Sequence, residues 1–188
     1  MSEQTIIDEV EGLYRVIPLS PLRKTPKVTI DKIPLELLPR IDAIDRVLHE
    51  GGAFSPGPVG EVARPWYMHH CQDDHLVVLS GVREVEIYAP DHGRIETFTV
   101  TPYEITKNGK PLYRGGAMLA WPVGVLHRIR TGEGGSASLN IAVHYPGYDP
   151  RTNFDVYDLD PANGAYWIIR DGYLDQPGAC PVGTLADG

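Results

Sequence analysis

The alternation of short apolar runs with turn residues is the main pattern of the chain between residues 62 and 145. The strand-like segments are RPWYMHH, HLVVLSG, REVEIYAP, RIETFTV, GAMLAWP, LHRIR and SLNIAVHY, and the turn-like segments are PDHG, KNGK, PVG and TGEGG. Short runs rich in Val, Ile, Thr and aromatic residues are typical of β-strands, and Gly, Pro, Asn and Asp are typical of the turns between them. No helical pattern interrupts the series, so the sequence predicts an all-β sandwich or barrel.

The segment before the barrel has a different pattern. Four prolines within residues 1–35 oppose a helix and favour an extended arm. Residues 36–50 then carry apolar side chains at helical spacing, which predicts a short helix that ends at Gly51 and Gly52. The apolar positions of that helix are Leu38, Ile41, Ile44, Val47 and Leu48.

The segment after the barrel predicts a hairpin that covers it. NFDVYDLD and AYWIIRDGYL are two strand-like runs separated by a PANG turn. The chain is therefore divided into an N-terminal arm and short helix over 1–61, a barrel over 62–146 and a hairpin-like extension over 147–188.

Charge and composition exclude several classes of partner. The net charge is −8, with 17 basic and 25 acidic residues and no Lys/Arg cluster, so we expect no nucleic-acid partner. No run approaches the roughly 20 apolar residues of a membrane span, and the N-terminus lacks the pattern of a signal peptide. The expectation is a cytoplasmic protein that does not contact membranes, with two cysteines that form no disulfide framework.

Histidines and acids are concentrated in the segment HHCQDDH. It contains His69, His70 and His75 beside Asp73 and Asp74. Burying several imidazoles and carboxylates together costs free energy unless something pairs with them. A divalent metal ion is one such partner, and this mixture of ligands suits Fe, Mn, Ni or Zn.

A second pattern lies downstream, in GAMLAWPVGVLH. It places Gly116, Pro122, Gly124 and His127 at the spacing Gly-x5-Pro-x-Gly-x2-His. In this spacing the chain resembles the second motif of the cupin superfamily, with all four positions filled. The resemblance implies a jelly-roll barrel, also called a double-stranded β-helix, in which His127 points into the interior. Pro and Gly are suited to the turn because Pro fixes one dihedral and Gly permits a positive one.

The first cupin motif is matched only in part. Counting back from Gly81 places Asp74 at the position of the family's Glu and His70 at the position of its second His. The position of the first His is occupied by Met68, and the initial Gly is replaced by Val62. The resemblance covers about eighty residues and implies a site in which one of the usual ligands is missing.

Three ligand sets remain open. In the first, His70, Asp74 and His127 bind the metal alone, as a two-His-one-carboxylate arrangement with open positions. In the second, a bulge at His69–His70 turns His69 inward as an additional ligand. In the third, His75 replaces Asp74, which requires the opposite strand parity. The preferred set is the first, with His69 as the additional ligand, and His70, His127 and Asp74 are also the candidate catalytic residues.

Other side chains receive structural interpretations. Arg83, Glu84 and Glu86 are predicted to form a solvated face. Trp121 is predicted to line the barrel or to belong to its core. A barrel that has lost the metal and keeps these polar residues in an empty pocket is the alternative to the metal site.

The resemblance restricts the fold more than the reaction, because the cupin fold supports many activities. The leading hypothesis is a metal-dependent enzyme, dioxygenase-like or an isomerase or lyase, acting on a small polar substrate. The alternatives are a metal-free small-ligand-binding protein and a metal-free sugar epimerase or isomerase that uses His70 or His127 as general base beside Asp74. A homodimer is also expected, since the arm over 1–35 is suited to covering a sheet edge.

Overall fold

The computed structural model describes residues 6–177 and consists almost entirely of β-strands and turns. The strands are β1 (Asp8–Val10), β2 (Tyr14–Pro18), β3 (Ser20–Thr25), β4 (Val28–Lys32), β5 (Ala43–His49), β6 (Phe54–Ser55), β7 (Trp66–Met68), β8 (Gln72–Tyr88), β9 (Glu96–Val100), β10 (Glu104–Lys107), β11 (Lys110–Arg114), β12 (Ala117–Trp121), β13 (Leu126–His144), β14 (Val156–Asp160) and β15 (Ala165–Arg170). Two short 3₁₀ helices span Leu35–Leu37 and Gly172–Asp175. The prediction of an all-β fold is confirmed.

The two longest strands, β8 and β13, form the centre of the fold. They pair antiparallel along most of their length, from Gln72 opposite His144 to Tyr88 opposite Leu126. The register of the pair shifts between Thr131 and Ser136, and Ser136 lies opposite Gly81, whose φ of 74° is in the left-handed region. A Cβ at this position would lie 2.0 Å from the carbonyl oxygen of Gly135, so only glycine fits this close approach of the two backbones.

The other strands extend this centre into a larger sheet. Among residues 6–177, thirteen strands belong to one sheet in which β12 and β2 add to β8, while β5, β6 and β7 add to β13. Strands β9, β10 and β11 continue from the second half of β8. Strands β3 and β4 form a separate two-stranded sheet.

The main core fills the space inside this sheet. It consists of fully buried aliphatic and aromatic side chains, among them Val16, Leu76, Val85, Phe98 and Leu119. Complete burial of one such side chain stabilises the fold by about 1.5–3 kcal/mol. A second cluster lies under β14 and includes Trp66, Met68, Leu126 and Tyr157.

The helix predicted over 36–50 is wrong. The 3₁₀ helix Leu35–Leu37 is followed by strand β5, which pairs with β13 from His49 opposite Ser136 to Ala43 opposite Ala142. Pairing along this whole length supplies the backbone hydrogen bonds that a helix would otherwise make. The helical spacing of the apolar residues is therefore a coincidence. Two of these residues, Ile44 and Leu48, lie on the outward face of β5 and are exposed.

The segments on either side of the predicted barrel contribute to the same sheet. Strands β2 and β5 lie within 1–61 yet pair with β12 and β13. The predicted hairpin after the barrel is present as β14 and β15, and β14 pairs with β7. The boundaries 1–61, 62–146 and 147–188 stay a prediction. No helix in residues 6–177 is long and apolar enough to span a membrane.

Candidate functional site

A cavity of about 170 Å³ lies inside the barrel, between inward-facing side chains of β5, β7, β8, β12 and β13. This volume is smaller than the roughly 300–1,000 Å³ of pockets that hold drug-sized ligands. A larger groove of about 590 Å³ lies beside β1 and β2, but its lining includes neither His69, Asp74 nor His127. The clustered imidazole and carboxylate groups therefore favour the barrel cavity as the functional site.

Three buried side chains, His69, Asp74 and His127, meet at one end of this cavity. His69 Nε2 lies 3.1 Å from Asp74 Oδ2, and His127 Nε2 lies 3.8 Å from the same oxygen. The two imidazole rings are tilted against each other with centroids 4.9 Å apart. We call these three residues the His–Asp cluster.

Local structure explains how the cluster is assembled. Asp74 lies on β8 and His127 near the start of β13, while His69 lies in the short connection between β7 and β8. The turn before β13 contains Gly124 with φ 79°, and its backbone N–H donates to the carbonyl of His69 at 2.8 Å. The Pro–Gly turn predicted from the second motif thus fixes the positions of both histidines.

Backbone carbonyls determine where the imidazole protons lie. The Nδ1 atom of His69 contacts the carbonyl oxygen of Asn153, and Nδ1 of His127 lies 3.1 Å from the carbonyl oxygen of Val125. A carbonyl oxygen only accepts hydrogen bonds, so both Nδ1 atoms carry a proton. The Nε2 atoms of both rings then point toward Asp74.

Two amide side chains hold the carboxylate of Asp74. Gln72 Nε2 and Asn140 Nδ2 donate to Asp74 Oδ1 at 2.7 and 2.8 Å. Oδ2 is left for the two imidazoles. Gln72 is in turn held by Asn153, whose Nδ2 donates to Gln72 Oε1 at 3.0 Å. The sequence reasoning missed Gln72 and Asn140, although Gln72 shares the strand parity of Asp74.

The pKa values of the two histidines are shifted in opposite directions. Burial alone would lower the pKa of His69, but the facing Asp74 carboxylate raises it above its ordinary value. Burial and the charge on His69 lower the pKa of His127 to about 4. Burial would raise the pKa of Asp74, yet the histidines and Asn140 lower it well below its usual range. Both ring nitrogens of His69 face acceptors, so the arrangement favours an imidazolium–carboxylate pair beside a neutral imidazole.

His70 does not join the cluster. It is exposed, and its Nε2 lies 2.9 Å from the hydroxyl of Tyr157. The structure therefore brings together Asp74, His127 and His69, and places His69 where the first ligand set had placed His70. Met68 belongs to the second core cluster and does not line the cavity.

His75, the member of the third ligand set, is also outside the cluster. Its Nδ1 lies 3.0 Å from the carbonyl of Ile141, and it lines the outer groove. Strand alternation explains this position, since residue 75 points to the opposite face of β8 from Asp74.

Arg83 was predicted to lie on a solvated face, and this is wrong. The side chain is 1% exposed and lines the cavity, where its Nε donates to Ser136 Oγ at 3.0 Å. Strand β8 alternates, so Arg83 shares the inward face with Val85 and Ile87. Glu84 and Glu86 point outward and pair with Arg130 and Arg128.

Aromatic side chains form part of the cavity wall. The ring of Trp121 lies 5.0 Å from that of His127, and Tyr67 and Phe154 lie on the other side of the histidines. Among residues 6–177, two buried side-chain polar atoms have no hydrogen-bond partner, Trp121 Nε1 and Ser138 Oγ. Both residues line this cavity. Unpaired polar atoms are costly when buried, so a polar group that entered the cavity could gain hydrogen bonds from both.

The His–Asp cluster also fits a divalent metal. One ligand atom from each of its three residues lies within 4.8 Å of the others. Both imidazoles donate Nδ1–H to a carbonyl, which is the arrangement that orients metal-ligating histidines. Nitrogen and carboxylate donors in this ratio suit Fe, Mn, Ni or Zn.

Comparisons with known proteins identify the fold. No protein-family model matches the chain, and no curated protein matches it. Among solved structures, the RmlC epimerase of Mycobacterium tuberculosis matches with a TM-score of 0.52 and 10% identity, over 76% of this chain and 67% of that one.

Two further solved structures are sugar 3,4-ketoisomerases. The TDP-quinovose 3,4-ketoisomerase of Campylobacter jejuni has a TM-score of 0.49 and 12% identity, over 74% of this chain and 89% of that one. The enzyme of Thermoanaerobacterium thermosaccharolyticum, solved in complex with TDP, has a TM-score of 0.48 and 14% identity, over 75% and 85% of the chains. At such identities the likeness to the epimerase shows the fold alone, and it confirms the predicted cupin jelly roll.

Proposed function

We propose that this protein of the cupin jelly-roll fold is an isomerase-type enzyme that moves a proton at a carbon beside a carbonyl group of a small polar substrate. The observation that carries the proposal is the contrast within the His–Asp cluster, where His69 is held between two acceptors and His127 has a free Nε2. Neighbouring titratable groups whose environments separate their pKa values are typical of acid–base catalysis.

His127 is the general base in this proposal. With its proton on Nδ1 and a lowered pKa, the Nε2 atom presents a lone pair to the cavity. It accepts the proton from the substrate carbon and becomes an imidazolium. Asp74 Oδ2, at 3.8 Å, stabilises that new charge. His69 and the two amides hold the carboxylate in place.

The unpaired indole N–H of Trp121 binds the substrate oxygen. When the carbon loses its proton, the electron pair moves to the carbonyl oxygen and forms an enolate. A preoriented donor in a water-excluded cavity stabilises such an oxyanion. Where that carbon carries a hydroxyl group, the intermediate is an enediolate and the hydroxyl proton moves to the oxyanion. The proton on His127 then passes to the former carbonyl carbon, the new carbonyl forms at the first carbon, and the product is an isomer of the substrate.

The fold relatives are consistent with this class of chemistry. They are described as an epimerase and as sugar 3,4-ketoisomerases. The resemblance does not indicate which substrate this chain binds. The proposal therefore depends on the side chains of this chain. It corresponds to the metal-free epimerase or isomerase among the sequence hypotheses, with His127 and not His70 as the base.

The test is hydrogen exchange in deuterated water. Dihydroxyacetone and pyruvate serve as probes with exchangeable protons beside a carbonyl, and ¹H NMR follows their loss. We expect the wild-type protein to accelerate exchange of at least one probe and the His127→Asn variant to lose at least 100-fold of that acceleration. The His70→Asn variant is the matched control and should retain it. Equal rates for wild type and His127→Asn would refute the proposal.

A metal-dependent enzyme, including a dioxygenase, is the second candidate. It is favoured by the convergence of both Nε2 atoms and Asp74 Oδ2 described above. His69, Asp74 and His127 would hold the ion, which would supply Lewis-acid chemistry or dioxygen activation. Elemental analysis of protein purified without a His tag separates the candidates. One equivalent of Fe, Mn, Ni or Zn that is lost in His127→Ala supports the metal enzyme, and a metal content below one tenth of an equivalent supports acid–base chemistry alone.

Formation of a homodimer remains a proposal as well. The outward face of β5 exposes Ile44 and Leu48, at 58% and 59%. Apolar side chains on an edge strand favour association with a second copy. Light scattering tests this directly, because a dimer should become a monomer in the Ile44→Glu/Leu48→Glu variant. A wild-type protein that is monomeric at micromolar concentration would contradict it.

A further inference from the structure

The end of the cavity opposite the His–Asp cluster contains a buried guanidinium group. Arg83 faces inward from β8, where it pairs with Thr131 of β13. Its Nε donates to Ser136 Oγ at 3.0 Å and its Nη2 to the carbonyl of Val47 at 3.1 Å. A guanidinium has five N–H donors, so these two bonds leave part of its capacity unused.

No counter-charge accompanies this guanidinium. None of the ion pairs found among residues 6–177 includes Arg83. Burial lowers its pKa to about 10, and no neighbouring carboxylate opposes that effect. Buried charges in proteins are normally paired. An arginine that is 1% exposed and has only neutral partners is therefore incomplete without an anion.

A second polar group near Arg83 also lacks a partner. Ser138 is fully buried, and its Oγ makes no hydrogen bond in the part of the chain that the structure describes. It lies on the same face of β13 as Ser136 and directly opposite Val47, whose carbonyl accepts from Arg83. A hydroxyl without a hydrogen-bond partner and a guanidinium with unused donors thus line the same small cavity.

The surroundings favour one kind of anion. His49 lines the same cavity, and burial together with the Arg83 charge lowers its pKa to about 4, so it is neutral near pH 7. A single positive charge suits a monoanion better than a phosphate dianion. A planar guanidinium binds the planar carboxylate through two parallel hydrogen bonds, and a cavity of about 170 Å³ has room for a small acid.

We propose that Arg83 and Ser138 bind the carboxylate of the substrate, which is a small hydroxy- or oxocarboxylic acid. The carboxylate lies at the Arg83 end, and the carbon chain extends past Leu76 and Ile129 toward His127 and Trp121. This assignment of a substrate class rests on the proposed function only for the proton transfer at His127. The anion site itself depends on Arg83 and Ser138.

The experiment is a binding comparison by isothermal titration calorimetry. Lactate, glycerate and 2-oxobutyrate are each titrated beside their own amide, together with inorganic phosphate. We expect at least one acid to bind at least tenfold more tightly than its amide and more tightly than phosphate. In the Arg83→Gln variant this preference should disappear, whereas Arg130→Gln, which removes an exposed arginine, should retain it. A preference that survives in Arg83→Gln, binding of none of the three acids, or tighter binding of phosphate would overturn the proposal.

Two further variants keep the result interpretable. If Arg83→Gln does not fold, Arg83→Lys takes its place. This variant retains the charge without the planar pair of donors, and it should weaken binding of the acid at least fivefold. Glu84→Gln, which changes an outward-facing carboxylate next to Arg83 on β8, should bind the acid as the wild type does. Carboxylate binding without any hydrogen exchange would refute the proposed function and support the anion site. Hydrogen exchange without a preference for acids would support the proposed function and refute the anion site.

Discussion

The two ends of the barrel cavity differ in how their buried charges are satisfied. At the His–Asp cluster, the carboxylate of Asp74 faces a protonated histidine and accepts from two amides. At the other end, the guanidinium of Arg83 has a hydroxyl and a carbonyl as partners and no carboxylate. The buried charge at the first end is paired within the protein, and the buried charge at the second end is not.

This difference separates stability from binding. A charge that is paired within the protein holds the fold together, because removal of one partner leaves the other buried and uncompensated. A charge that lacks a partner contributes little to stability and is available to a ligand. Mutations at the two ends should therefore have different consequences.

The largest expected effect is that of removing Asp74. In Asp74→Ala the imidazolium of His69 and the amides of Gln72 and Asn140 lose their common acceptor, which should lower the free energy of unfolding by about 3–5 kcal/mol. Urea denaturation measures this. The control is Asp91→Ala, an exposed carboxylate in a turn, with a change of less than about 0.5 kcal/mol. A similar loss for both variants would show that Asp74 is not the acceptor described.

Replacing Arg83 should be much less costly. In Arg83→Met the methionine side chain fills about the volume of the aliphatic part of the arginine. Ser136 Oγ keeps its contact with Thr131 Oγ1 at 2.7 Å. The free energy of unfolding should change by no more than about 1–2 kcal/mol in either direction. The same denaturation series gives the answer. A loss as large as that of Asp74→Ala would remove the contrast between the two ends.

The pH dependence of stability gives a further comparison. His127 and His49 have pKa values lowered to about 4, so the unfolded chain binds protons near pH 6.5 that the folded protein does not. Stability should therefore fall as the pH drops from about 6.5 toward 4. His69, with a raised pKa, has the opposite effect, and its contribution is lost as the pH rises through its folded pKa.

Thermal denaturation between pH 4 and 8 measures the net slope, and His127→Asn isolates one contribution. The variant should lose less stability between pH 6.5 and 4 than the wild type. An identical slope in both proteins would show that His127 is protonated in the folded state as readily as in the unfolded chain.

The smallest effect should come from the neighbour of His69. His70 is exposed and touches Tyr157, so His70→Ala should change the free energy of unfolding by less than about 1 kcal/mol. His69→Ala removes the buried partner of Asp74 and should cost clearly more. Equal effects, again by urea denaturation, would mean that the connection between β7 and β8 places these two side chains differently.

The sequence predicted the fold and part of the site. The motif from Gly116 to His127 correctly indicated the jelly roll, the turn and the inward position of His127. It did not distinguish His69 from His70, because both lie in the connection between β7 and β8, where strand parity does not apply. Asp74 follows that connection on a regular strand, so its inward position could be predicted.

Other parts of the site depended on contacts that are distant in sequence. Asn140 reaches Asp74 through the register between β13 and β8, which the local pattern does not reveal. Arg83 could have been placed correctly, since it alternates in phase with Val85 and Ile87 and out of phase with Glu84. The helix predicted over 36–50 failed because pairing with β13 determines the conformation of β5.

The protonation of the two cluster histidines tests the central claim most directly. Nitrogen-15 NMR of the imidazole rings at pH 7, on protein purified without a His tag, reports the state of each ring nitrogen. The account predicts that His69 carries protons on both nitrogens and that His127 is neutral, with its proton on Nδ1 and a free Nε2. Two neutral rings with both Nε2 atoms bound to a metal ion would contradict it.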